Sequence, residues 1–125
     1  MTFTKKTLED IDPALGFFSD FEKLNHGTSA HIMKMRNEAI FTNSVFPAKL
    51  KTLLAMLWGI SARCEPCLKY YVLKAKELDV SETELCEVLA VASVMGGCVG
   101  ETWALKAYSA FKSFEKSGTT DEKCC

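Results

Sequence analysis

The sequence predicts an all-α fold: a single-domain bundle of about six helices over residues 1–125. Three observations carry this. Apolar residues recur with a helical period almost throughout, no segment alternates with the period of a strand, and capping residues punctuate the chain where one helix would end and the next begin.

The first helix starts at Asp12-Pro13, an N-cap followed by a proline whose fixed φ suits a first turn. Ala14, Phe17, Phe18, Phe21 and Leu24 give it one apolar stripe, and Asn25-His26-Gly27 stops it. Thr28 or Ser29 caps a second helix carrying Ile32, Met35, Ala39 and Ile40. Thr42 to Pro47 is a loop. The third helix, from Pro47 to Arg63, holds Leu50, Leu53, Leu54, Leu57, Trp58 and Ile60, so most of its circumference is apolar. Such a helix is central to a core or buried between subunits. The fourth runs from Glu65 to Leu78 with Leu68, Tyr71, Val72, Ala75 and Leu78 on one face. Ser81 and Glu84 make a capping box for the fifth, which Gly96-Gly97 ends. The sixth runs from Gly100 to Phe114, and residues 117–125 form a polar, mobile tail. The later helices carry more large apolar residues than one chain of this length needs, so the protein is expected to be oligomeric.

Composition narrows the class. Of 125 residues, 48% are hydrophobic and 25% charged, with a formal net charge of −1, which excludes a disordered chain and gives no electrostatic case for nucleic acid. The uncharged stretch from Val88 to Gly100 is too short for a bilayer and contains the Gly-Gly break, so no membrane partner is expected. No apolar region follows Lys5 and Lys6, so a cytoplasmic protein is expected. In that compartment thiols are kept reduced, and the six cysteines do not argue for a disulfide framework.

The chemistry lies in Cys64-Glu65-Pro66-Cys67, at the start of the fourth helix. Residues three apart on a helix are neighbours, within a small adjustment of disulfide reach. Unpaired N–H groups at a helix start favour a thiolate and lower its pKa. Arg63 adds a cation, and Glu65 opposes it. One activated and one resolving thiol are the minimum for disulfide exchange or peroxide reduction. Half of a metal site and two inert cysteines are the rival readings. A zinc site needs two more ligands, and His26 and His31 stand alone.

From Phe46 to Phe111 the sequence resembles the carboxymuconolactone decarboxylase-like superfamily, in particular its branch similar to alkyl hydroperoxidase D. The matching elements are Pro47–Lys51 with the apolar helix after it, Arg63–Tyr70, Ala75–Ser81 and Glu87–Gly97. The resemblance implies an all-α fold assembling as dimers, trimers or hexamers. It implies peroxide or disulfide reduction at Cys64 and Cys67 without a cofactor, with a thiol-containing protein as reductant. It also implies that Cys67 meets the peroxide while Cys64 faces the reductant. The hydroperoxidase pattern has a Glu twelve residues before the first cysteine and a His four after the second, which relay a proton. Here those positions are Thr52 and Tyr71, and neither is a base near neutral pH. Both can still donate a hydrogen bond to a thiolate. The lactone decarboxylases of the family use a different site, so their activity is not implied.

Two readings stay open: a redox enzyme, and a non-catalytic oligomeric scaffold that has lost the relay. Cys98, after Gly96-Gly97, is packing or a third thiol, and Cys86 is packing beside the core stripe. Cys124 and Cys125 end a polar tail as an exposed pair prone to incidental oxidation. His31 is a surface or partly buried residue rather than a base, and Glu101 complements the last helix's dipole.

Overall fold

The structure is a computed structural model that describes residues 4–114; the expected tail, with Cys124 and Cys125, lies outside the described residues. Among these the architecture is all-α. There are six α-helices, α1 (Lys5–Ile11), α2 (Phe18–Leu24), α3 (Thr28–Ala39), α4 (Ala48–Ser61), α5 (Glu65–Glu77) and α6 (Glu82–Ser113), and one 3-10 helix at Pro13–Phe17. The chain divides into two compact units, Met1–Ala48 and Lys49–Cys125.

In the first unit the sequence reading needs three corrections. It missed α1, a seven-residue helix whose one buried residue is Ile11, too short to show a period. The stretch read as one helix from Pro13 begins as a 3-10 turn and becomes α only at Phe18. Asp12 does cap it, accepting from the Ala14 N–H at 2.9 Å. Finally, α3 is capped neither by Thr28 nor by Ser29. Gly27 holds the N-cap at φ 84°, and Asn25 reaches forward to accept the Ser29 N–H. The expected stripe of Phe17, Phe21 and Leu24 has helical spacing but lies open, with Phe17 69% exposed.

The second unit holds the core: Leu53, Met56 and Ile60 of α4, Leu68, Val72 and Ala75 of α5, and Leu85, Leu89, Ala107 and Phe111 of α6. The other side of α4 shows Leu50, Leu54 and Trp58 to solvent, Trp58 at 77%. Helix α6 spans 32 residues and is long and apolar enough, by length and composition, to cross a membrane. It is not a rod. Gly97 sits at φ 59°, ψ −142°, outside helical geometry. An unbroken helix of that length would be about 48 Å long. Instead its ends meet: Tyr108 donates to Glu82 at 2.7 Å, and Lys112 pairs with the same carboxylate at 3.1 Å. The Gly96-Gly97 break read from sequence is therefore a hairpin between two helical limbs. The Tyr108 hydrogen bond, then Lys112, holds the Glu82 carboxyl below its ordinary range. The Ser81–Glu84 capping box forms at 3.0 and 2.9 Å.

Candidate redox site at the α4–α5 junction

Two helices meet at one residue. Helix α4 ends with Arg63 in the left-handed region, φ 55°. The Arg63 N–H bonds the Ile60 carbonyl at 3.0 Å, and the Cys64 N–H bonds that of Gly59 at 2.9 Å, a Schellman closure. Cys64 is also the N-cap of α5, its sulfur accepting the Cys67 N–H at 3.3 Å. The tight turn leaves Cys64 and Cys67 with Cα atoms 5.2 Å apart, joined as a disulfide. Both are half-buried.

Gly59 lets α4 come this close. A Cβ there would lie 3.0 Å from the Leu68 backbone nitrogen and 3.2 Å from Cys67 Cβ. One wall of the disulfide is thus backbone, and sequence reading passed over this glycine although it is the one glycine of α4.

The charge around the pair differs from expectation. Glu65, read as opposing a thiolate, is occupied. Lys69 reaches it at 2.9 Å from the next turn, and Lys106 from the second limb of α6 at 3.8 Å. The Lys69 hydrogen bond and charge, and then Lys106, hold the Glu65 carboxyl below its ordinary range. The cluster is intact at neutral pH and is lost as the pH falls through that lowered range. Lys106 also rides over the Trp103 ring, 5.3 Å from its centroid. The Glu65–Lys69 spacing was readable as an i,i+4 pair, whereas Lys106 arrives through tertiary structure alone.

Tyr71 lies one turn beyond Cys67, half-buried, its ring edge-on to Tyr70 at 5.1 Å between centroids. Thr52 is fully buried on α4, and its hydroxyl has no hydrogen-bond partner. In this oxidised state it therefore bonds neither sulfur nor the Tyr71 hydroxyl. An unpaired buried hydroxyl costs about 1–3 kcal/mol. Thr52→Val keeps the shape without that penalty and should stabilise the oxidised protein by about 1 kcal/mol in urea denaturation. A loss of stability would mean that the hydroxyl is satisfied.

The two remaining cysteines among the described residues are less buried than packing would require. Cys86 and Cys98 are free and exposed, so Cys86 is not a packing residue: it falls outside the inward stripe of Leu85 and Leu89. Cys98 lines a shallow groove with Val99, Thr102 and Trp103. His31 and Glu101 are exposed. Among the described residues, no three His, Cys, Asp or Glu side chains gather where they could hold a metal ion.

Comparison with known proteins agrees with this architecture. The chain is 26% identical over 110 residues to an uncharacterized protein of Cupriavidus necator, covering 88% of this chain and 94% of that one. Its fold is similar to the apo crystal structure of a carboxymuconolactone decarboxylase family protein from Legionella pneumophila. That match has a TM-score of 0.80 and 23% identity, and covers 90% of this chain and all of the other. Residues 28–110 match the family model of the carboxymuconolactone decarboxylase family, spanning the junction, the disulfide and the α6 hairpin, and the chain belongs to that family.

Proposed function

We propose that the protein is a redox-active dithiol of the alkyl hydroperoxidase D-like type, using Cys64 and Cys67 to reduce disulfides or peroxides. The observation that carries this reading is the placement of Cys64: its sulfur caps α5 and accepts a backbone N–H while bonded to Cys67. On reduction that sulfur keeps its donor and the positive end of the helix dipole, both of which favour a thiolate. Against a peroxide, the Cys64 thiolate attacks one oxygen, the O–O bond breaks and an alcohol leaves. The resulting sulfenic acid condenses with Cys67, releasing water and restoring the disulfide. A thiol protein of the cytoplasm then supplies two electrons. This order gives Cys64 the nucleophilic role that the resemblance gave to Cys67. With Thr52 and Tyr71 in place of Glu and His, protons pass through solvent rather than a relay, so disulfide exchange is the faster reaction.

The test is to reduce the protein, expose it to mild peroxide, and map its thiols by mass. The peptide holding Cys64 and Cys67 should lose two hydrogens and regain them with dithiothreitol. A pair that stays reduced would leave a non-catalytic scaffold. Assembly belongs to the same proposal. Leu50, Leu54 and Trp58 on α4, with Val94 and Met95 on α6, are apolar surface of the kind subunits cover. Light scattering of that sample should give at least twice the 13.9 kDa chain mass, and a monomer would refute self-association.

A further inference from the structure

We propose that the rim of the disulfide selects a reductant whose thiol is flanked by negative charge, that is, a thiol protein docking through an acidic surface. The inference rests on the dithiol reading and names the partner's chemistry.

Among the described residues, Arg63 beside Cys64 in sequence and the two lysines that pair with Glu65 set three cations against that one carboxylate. Arg63 is exposed and immediately precedes Cys64. Lys69 and Lys106 share Glu65, with about half of the Glu65 and Lys106 side-chain surface open to solvent. Three positive charges less one leave a surplus of two, in a chain whose overall formal charge is −1. The N-terminus of α5 adds to the same sign. The position of Arg63 makes this more than a chance of surface composition. The left-handed site that closes a helix is easiest for glycine, and a side chain there costs about 1 kcal/mol or more. Arg63 takes it at φ 55°, so the residue directly before Cys64 is an exposed cation where a glycine would be easier. Lys106 comes from the far limb of the hairpin, lying over Trp103, so the rim is drawn from two parts of the chain.

The attacking group in disulfide reduction is itself an anion. A partner thiolate attacks one sulfur, the Cys64–Cys67 bond breaks, and the other sulfur leaves as a thiolate that takes up a proton. A second partner thiol then resolves the mixed disulfide. The partner ends as a disulfide, and this protein as two thiols. Acidic groups around the partner's thiol are drawn to the rim and raise the encounter rate, and salt screens that attraction.

The test uses the oxidised full chain and three five-residue peptides, each with a central cysteine flanked by aspartates, serines or lysines. Rates are expressed per thiolate and read as double alkylation of the tryptic peptide containing Cys64 and Cys67. At about 20 mM salt the acidic peptide should react at least about fivefold faster than the basic one, and the ratio should approach one near 0.5 M. Arg63→Gln combined with Lys106→Gln should bring the ratio close to one at low salt. A change in sulfur reactivity acts on all three peptides alike, so the ratio isolates the charge of the rim. Equal rates at low salt, or a faster basic peptide, would overturn the proposal while leaving the dithiol reading intact. No reduction by any peptide would overturn both.

Discussion

Gly100→Ala is expected to lower the stability of the chain by about 3 kcal/mol, the upper end of what inserting one carbon into a packed interior costs. The added Cβ would overlap the Ala92 carbonyl oxygen, and the obstacle is backbone that no rotamer change removes. Relief requires the two limbs of α6 to part. They are held at the other end by the contacts of Glu82 with Tyr108 and Lys112. Gly97→Ala makes an informative contrast. Its Cβ would meet nothing within 4 Å, so only the left-handed backbone opposes it. That strain is of order 1–3 kcal/mol and can relax by local adjustment. Urea denaturation of the two variants should therefore rank Gly100→Ala as the more damaging. The reverse order would mean that the limbs do not approach at Gly100.

The second large effect separates the two sulfurs. In the reduced protein, Cys64→Ser leaves Cys67 without the capping position, while Cys67→Ser leaves Cys64 with its N–H donor in place. A thiol near the ordinary pKa of about 8.5 is a few per cent thiolate at pH 7, whereas one shifted to about 7 is half thiolate. Alkylation at pH 7, mapped to the peptide from Cys64 to Lys69, should thus run at least about tenfold faster in Cys67→Ser than in Cys64→Ser. Equal rates would show that the helix start activates neither sulfur. A faster Cys64→Ser variant would return the nucleophilic role to Cys67. Both variants abolish the intramolecular disulfide, so turnover through it should fall to background in each.

Much of the second unit was legible because its signals are local. Ser81 with Glu84, and Pro66 within the first turn after Cys64, fix helix starts through neighbouring residues, and the structure places them so. Gly96-Gly97 marked a break, but a break alone does not say that the chain turns back. That depends on Gly100 meeting Ala92, and on Glu82 meeting residues 26 and 30 positions away. The first unit shows the opposite limit. The period of Phe17, Phe21 and Leu24 identifies a face to be covered, but periodicity does not name what covers it, and among the described residues these three side chains stay exposed. At the site, the cysteines were readable from spacing. The charge state of Glu65 was not, because Lys106 is 41 positions distant in sequence. Nor does residue type say that Arg63 occupies a left-handed turn, since that conformation comes from the closure of α4.

The chain has two tryptophans, and the fold places them in unlike surroundings. Trp58 is exposed in the single chain, whereas Trp103 is partly enclosed beneath the Lys106 ammonium, which pairs with Glu65, the first residue after Cys64. Their fluorescence is therefore separable. In the separate chain an aqueous quencher such as iodide reaches Trp58 first, whereas an assembly that covers this side of α4 shields it, so the order of quenching reports self-association. If the pair cycles as proposed, Trp103 is the indole placed to register it, through Lys106 and Glu65, and its emission should differ between the oxidised and the dithiothreitol-reduced protein.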